Sequence, residues 1–336
     1  MVRCVKVSLK DAEKTKNKLF HEKCLDDAFY PKKENGFLFL PVLKNYLGET
    51  VDLNLKPLEK KTIIPFKEAL RKILNEQELS EVKTAFDTIG TIAILEIPET
   101  LKYKEKKIAK ILLDSNPAIK TVLKKSSIHE GVFRVQERTY LAGVDTQIAN
   151  YRENNCTLEV NVSEVYFSVR LSTERTRISK LVKDDEEILV MFSGAAPYPC
   201  VLSKNINAKH IVGVEINPAG HEYGLKNLKK NKIKNVELYC GDVREVVPKL
   251  NQKFDRVIMP LPKTAEQFLD IALLVTKKHG IINLYGFYDE NDFEKAKKET
   301  LNYCKNLGFK VKLKDFVLCG QYSPRSYRVC FDLEVE

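Results

Sequence analysis

No two of the eight cysteines lie within four residues of each other. That spacing leaves no Cys-x-x-Cys pair and excludes a zinc ribbon. The five histidines, at 21, 129, 210, 221 and 279, are scattered, and no metal site is expected from them. No apolar run reaches about 18 residues, so no membrane-spanning helix is expected. The opening stretch MVRCVKVSLKDAEKTK is charged from its start and has no apolar segment of a secretory leader. Reduced thiols in a cytoplasm follow as the expectation. Internal repeats and low-complexity segments are also lacking.

What is present is an ordinary globular balance. The chain has 336 residues, 43% hydrophobic and 30% charged, enough to bury a sizeable core in two or three domains. Lysine and arginine number 56 against 46 acidic residues, a net charge of +10. That excess favours a polyanionic partner, nucleic acid above all. A lysine-rich solvated surface has the same composition.

Three sections follow one another. Residues 1–57 read as a small α+β unit, with strands at RCVKVSL and GFLFLPVL and a helix through Glu13–Cys24. KPLEKKTIIPF, with two prolines and a charge cluster, reads as a linker. Residues 66–168 read as a mixed α+β module. Its helix TLKYKEKKIAKILLDSN has Leu101, Ile108 and Leu112 on one face. Strands are expected at TIGTIAILEIP, IKTVLKK, GVFRVQER and CTLEVNVSEVYFS. Residues 169–336 alternate strand and helix. The strands Ile188–Phe192, Ile211–Val214, Val236–Cys240, Asp255–Met259 and Gly280–Tyr285 predict a mostly parallel sheet covered by helices on both faces. Lys310–Val317 and Tyr327–Val335 bring the expected strands to seven.

The turn after the first of these strands, FSGAAPYP, follows a buried run with small residues. Such a turn approaches a ligand. It is neither Gly-x-Gly-x-x-Gly nor a Walker loop, and Pro197 removes an N–H that a phosphate would want. Glu215 ends the second strand, about 20 residues on, where a carboxylate binds ribose hydroxyls. Asp242 ends the third, where an adenine amino group can donate to it. The fourth breaks into Pro260-Leu261-Pro262. Ribose and adenine without pyrophosphate point to S-adenosylmethionine. Any one of these acids alone is equally well a helix cap.

The order FSGAAPYP, GVEINP, GDVREV, IMPLPK resembles a class I S-adenosylmethionine-dependent methyltransferase, with a Rossmann-like seven-stranded sheet. GVFRVQERTYLAG, VYFSVRLSTERTRI and YSPRSYRVCFDLEV resemble, more narrowly, the archaeal and eukaryotic tRNA (guanine-37-N1)-methyltransferases. The resemblance covers nearly the whole chain and implies a monomer whose small N-terminal domain touches the tRNA's outer corner while the anticodon stem-loop enters the active site. It implies Glu174 as the general base that takes the guanine N1 proton and Arg134 as the cation stabilising charge on O6, a division of work the chemistry requires. The cofactor would lie among Tyr166, Arg170, Phe192, Ser193, Gly194, Pro197, Glu215, Ile216, Asp242, Val243, Pro260, Leu261 and Pro262. Ser323, Pro324 and Arg325 match a loop that approaches the RNA. Lys124, Lys125, Arg138 and the lysines of the Leu101–Asn116 helix are further candidate phosphate contacts, read from their charge.

Two positions depart from the pattern. Pro260 stands where the family commonly has an asparagine, and proline has no polar side-chain group. Gly-Ala-Ala-Pro-Tyr-Pro replaces Gly-Val-Gly-Pro-Phe and is similar to an archaeal subgroup that also methylates a tricyclic wyosine precursor. Methyl or aminocarboxypropyl transfer to that precursor is therefore an alternative. A non-catalytic tRNA-binding protein on the same scaffold is another.

Overall fold

The computed structural model describes residues 1–58, 64–126, 133, 135–261 and 264–336. Its contacts group the chain into two units, Met1–Ile64 and Pro65–Glu336.

In the first unit, β1 (Val2–Ser8), α1 (Ala12–His21), β2 (Lys32–Glu34), β3 (Phe37–Pro41) and β4 (Val51–Leu53) follow in order. The strands form an antiparallel sheet, β2-β3-β1-β4. Leu19 of α1 packs on Leu40 and Val42 to make a small core.

The second unit begins with α2 (Phe66–Leu70), α3 (Glu76–Glu81), β5 (Asp87–Ile89), β6 (Ile92–Leu95), α4 (Glu105–Ser115), β7 (Thr121–Lys125) and β8 (Arg138–Gly143). Its four strands lie in the order β5-β6-β7-β8, with only β6 and β7 parallel. TIGTIAILEIP is thus two strands turning at Gly90 rather than one. A hairpin follows, β9 (Ile148–Glu153) and β10 (Cys156–Asn161). The alternation through CTLEVNVSEVYFS stops being strand at Asn161, where the Asn161 carbonyl accepts from Val165 and turns the chain.

The remaining elements are α5 (Ser172–Leu181), β11 (Glu187–Met191), α6 (Pro197–Asn205), β12 (His210–Glu215), α7 (Pro218–Lys230), β13 (Val236–Cys240), α8 (Val243–Lys249), β14 (Phe254–Met259), α9 (Leu269–Val275), β15 (Thr276–Asp289), α10 (Phe293–Asn306), β16 (Val311–Ser323) and β17 (Ser326–Val335). They build the expected seven-stranded sheet, β13-β12-β11-β14-β15-β17-β16. The first five strands are parallel and the last two antiparallel. Strand side chains alternate between faces. Leu189, Met191, Val257 and Leu284 fill one core. Ile188, Val190, Ile258 and Tyr285 fill the other, with Ile178 of α5 and Tyr198 of α6. Burial on both faces is why these strands are continuous apolar runs. Strand order reverses between β11 and β14, so their carboxyl ends open a crevice, the usual ligand position in such a sheet.

Asn227 of α7 fastens the hairpin to the crevice. Its Oδ1 accepts from Glu159 N at 2.7 Å, and its Nδ2 donates to Glu159 O and to Ala195 O, both at 2.9 Å. The side chain is fully buried. Asn227→Ala strands one N–H and two carbonyls, and is expected to cost about 3 kcal/mol. Urea unfolding measures it; a loss under about 1 kcal/mol would show that water reaches those groups.

Candidate functional site

The turn after β11 is coiled by three left-handed residues, Phe192 (φ 59°), Gly194 (φ 55°) and Ala196 (φ 58°). Side chains rarely adopt that conformation, and such strain concentrates at functional sites. A Cβ on Gly194 would meet only Tyr166 O, at 3.7 Å. Glycine relieves the strain of that backbone angle, and the space before it is open. Ala195 and Ala196 are small for a different reason: both are buried in the core beneath the loop. A Cβ on Gly224 of α7 would sit 3.4 Å from the Ala196 Cβ. Pro197 begins α6, as expected for a proline at a first helical position.

Glu215, at the end of β12, holds this loop. Its Oε2 accepts from Gly194 N at 2.6 Å and its Oε1 from Asn217 N at 2.8 Å. Burial pushes its carboxyl up from the ordinary value, while the backbone N–H groups oppose that rise. Asp242, after β13, caps α8 by accepting from Arg244 N at 2.8 Å. It is both a cap and a wall of the crevice. After β14, the Leu261 N–H bonds back to Met259 O at 2.9 Å, which turns Pro260 and Leu261 toward the same space.

Together these ends enclose a cavity of about 410 Å³. Tyr166, Phe192, Ser193, Gly194, Pro197, Glu215, Ile216, Asp242, Val243, Pro260 and Leu261 all line it. Phe268 packs edge-on against Phe192, centroids 4.9 Å apart, and carries the Arg244 guanidinium 3.9 Å above its ring. Arg175 also lines the cavity, though only 1% exposed. Its Nε and Nη2 donate to the two carboxylate oxygens of Glu153 at 2.5 and 2.7 Å.

Other residues lie elsewhere. Arg134 and Pro262 fall outside the described residues. Arg170 does not line the cavity; its exposed guanidinium pairs with Asp87 at 2.6 Å. Glu174, which the resemblance implies as the general base, does not line the cavity either. Successive helical residues turn by about 100°, so Arg175 points to the cavity and Glu174 into the core. There Glu174 is held by Arg177 at 2.7–3.0 Å and by the Tyr285 hydroxyl at 2.6 Å.

The candidate phosphate contacts are mostly occupied. Lys124 pairs with Glu105 and Lys125 with Glu96, both at 2.5 Å. Arg138 is largely buried, its Nε and Nη1 without hydrogen-bond partners among the described residues, and desolvation pushes it down to about 10. Ser323, Pro324 and Arg325 form the exposed β16–β17 turn, where Arg325 lies 3.6 Å from Glu290 and 3.8 Å from Asp289. Among the described residues no group of three or more His, Cys, Asp and Glu could hold a metal ion, and no helix is long and apolar enough to cross a membrane.

Arg175, Tyr198, Asn217, Arg244 and Phe268 were not read as cavity residues from the sequence. Tyr198, Asn217 and Arg244 lie inside the motifs FSGAAPYP, GVEINP and GDVREV, and Arg175 neighbours Glu174 on a helix; Phe268 had no such signal.

Comparison with known proteins bears on this geometry. Residues 149–312 match the TRM5/TYW2 methyltransferase domain, residues 66–146 the TYW2 N-terminal domain and residues 4–49 the tRNA methyltransferase 5 N-terminal domain. The chain is 35% identical to the tRNA (guanine(37)-N(1))-methyltransferase Trm5b of Pyrococcus abyssi, over 100% of this chain and 99% of that one. The crystal structure of that wild-type Trm5b superposes with a TM-score of 0.72, covering 100% of both chains. The tRNA (guanine(37)-N(1))/4-demethylwyosine(37)-methyltransferase Taw22 of Nanoarchaeum equitans is 31% identical over 73% of this chain and 97% of that one. Methanocaldococcus jannaschii Trm5 in complex with adenosine is 29% identical, with a TM-score of 0.68 over 99% of each chain. A full-length match at this identity, on a sheet whose strand ends form one cavity, leaves a single assignment: the chain belongs to the TRM5/TYW2 methyltransferase family.

Proposed function

We propose that this protein transfers a methyl group from S-adenosylmethionine to N1 of guanine 37 in tRNA. The observation that carries the reading is the convergence of the four strand-end motifs on one cavity. The donor set fits an adenosyl sulfonium compound. Glu215 has lone pairs left for ribose hydroxyls after its two backbone bonds. Asp242, Ile216 and Val243 surround an adenine position, and the Gly194 loop faces the methionine end. The Gly194 N–H is already bonded to Glu215, so the loop is not built for pyrophosphate.

In this reading Glu174 is the general base and Arg134 the cation at O6. The small N-terminal domain, residues 1–57, and the middle domain, residues 66–168, hold the tRNA's outer corner and stem, and the catalytic domain spans residues 169–336. The protein works as a cytoplasmic monomer. The charge of +10 makes its tRNA affinity fall steeply with added salt.

A second reading is methylation of the tricyclic wyosine precursor at the same position. Pro260 favours it, because no side-chain amide is available there to read a guanine edge. So does the resemblance to Taw22, whose name includes both activities. The deciding experiment uses S-adenosylmethionine and an unmodified tRNA transcript with guanine at position 37, digested to nucleosides for mass analysis. The expected product is 1-methylguanosine. Cofactor binding without that product, and methylation of tRNA bearing the precursor, would establish the second reading instead.

A further inference from the structure

Glu174 is cut off from the cavity by two tyrosines, and their hydroxyls connect it. Leu284 of β15 pairs with Met259 of β14, so Tyr285 stands one residue further, level with Pro260 at the cavity's edge. Tyr198 lines the cavity from the first turn of α6. Its hydroxyl donates to the Tyr285 hydroxyl at 3.0 Å, which donates to Glu174 Oε1 at 2.6 Å. Both rings are almost fully buried, so this chain of hydroxyls has no competing bulk water. The Tyr198 oxygen keeps a lone pair after this bond.

The far end of the chain is a carboxylate held in a buried polar network. Arg177 of α5 is shared between two carboxylates, Glu174 and Asp332, with bonds to the latter at 2.6 and 3.2 Å. Asp332 also accepts from Asn283 and from the Cys330 thiol. The groups around Glu174 are Arg177 on its own helix, Tyr198 on α6, Tyr285 on β15, Cys319 on β16, and Cys330 and Asp332 on β17, with Arg328 of β17 beyond Cys319. Arg175, on the Tyr198 side, is neutralised by Glu153. Glu174 and Asp332 thus share the one guanidinium that bonds to both of them.

We propose that Tyr198 and Tyr285 form a proton wire from the substrate's ring N–H to Glu174. This rests on the methyltransferase reading above. A bound S-adenosylmethionine supplies an electrophilic methyl on sulfur. As the base nitrogen bonds to that methyl, the methyl–sulfur electron pair stays on sulfur and the N–H proton passes to the Tyr198 oxygen. The Tyr198 proton moves to Tyr285, and the Tyr285 proton to Glu174, which ends neutral. Tyr198 is the group that touches the substrate. Tyr285 and Glu174 act through it. The wire also supplies, beside Pro260, a polar group that the proline lacks.

The test uses the full chain and single-turnover methylation of the guanine-37 transcript. Tyr198→Phe and Tyr285→Phe each remove one hydroxyl and keep the ring. Each is expected to slow the step about 100-fold, as loss of acid–base assistance does. S-adenosylmethionine affinity should stay close to wild type, and both variants should remain folded with a modestly lower melting temperature. Because the hydroxyls act in series, the double variant should be no slower than either single one. The variants' rates should rise with pH where the wild type levels off, since solvent must then take the proton. In the wild type itself, the rate should fall nonlinearly with the deuterium fraction of the solvent, because several protons move together. Single-variant rates within twofold of wild type, multiplying effects, or a linear deuterium dependence would each overturn the wire. Wild-type protein that binds cofactor yet methylates no tRNA would overturn the functional reading itself, and the wire with it.

Discussion

Replacing Glu215 with alanine is expected to weaken S-adenosylmethionine binding about 100-fold, the loss of about two charge-assisted hydrogen bonds. The carboxylate has two tasks. It accepts from Gly194 N and Asn217 N, which fixes the left-handed loop, and it faces the cavity where ribose hydroxyls would lie. Alanine abolishes both. Glutamine keeps one oxygen for a backbone N–H and should lose less. Titration calorimetry on the three proteins reads the difference, and an unchanged dissociation constant in Glu215→Ala would remove this residue from the cofactor site.

The same side chain predicts a pH signature. Burial raises its folded-state value above the unfolded one. The stability this contributes is fully present below the ordinary glutamate value of about 4.3, and is lost as pH rises through the raised value. At neutral pH the ionised group is therefore a cost to the apo fold. The stability of the wild type relative to Glu215→Gln should therefore rise as pH falls through the raised value, while Glu215→Gln binds cofactor more weakly. Wild-type affinity should fall as pH drops through the raised value, because the ribose hydroxyls need the carboxylate. A relative stability that does not change over that pH range would contradict the desolvation argument.

Glu153→Ala is expected to destabilise the second unit by about 3–5 kcal/mol, the usual loss when one partner of a buried ion pair is removed. Its melting temperature should fall by roughly 10 °C. Glu153 is the only carboxylate within bonding distance of Arg175 among the described residues. The guanidinium would retain only the Ser168 carbonyl, at 3.3 Å, and the flanking Phe167 and Tyr198 rings at 5.7 and 5.8 Å. An unpaired cation would then stand in the cavity wall. Adding Arg175→Met should recover most of the stability, since an apolar side chain of similar length leaves no buried charge. Denaturant unfolding of the single and double variants separates these outcomes. A single variant as stable as wild type would mean that water solvates Arg175 from the cavity.

Sequence alone determined the parallel sheet and the positions that end its strands. Runs such as ILVM and RVIM are apolar because both sheet faces are covered, and that pattern needs no partner to be recognised. Gly194, Glu215, Asp242 and Pro260 were legible for the same reason: each follows such a run at a fixed offset, and every strand of a parallel sheet ends on one edge. The strands β8 and β9 were not read, since RTYLAG and IANYRE have little apolar alternation and gain their place by pairing.

Only the tertiary structure decided which way each charged side chain turned. STER is compatible with either Glu174 or Arg175 facing the ligand. The helix's rotation against the sheet, fixed by Ile178 packing on Ile188 and Ile258, sent Arg175 to the cavity and Glu174 to Tyr285. Lysines 124 and 125 looked free for phosphate, yet their carboxylates come from 19 and 29 residues away. Ion pairs and hydroxyl chains join residues distant in sequence through contacts a few ångströms long. Local pattern cannot specify such contacts; they exist only once the packing has brought their elements together.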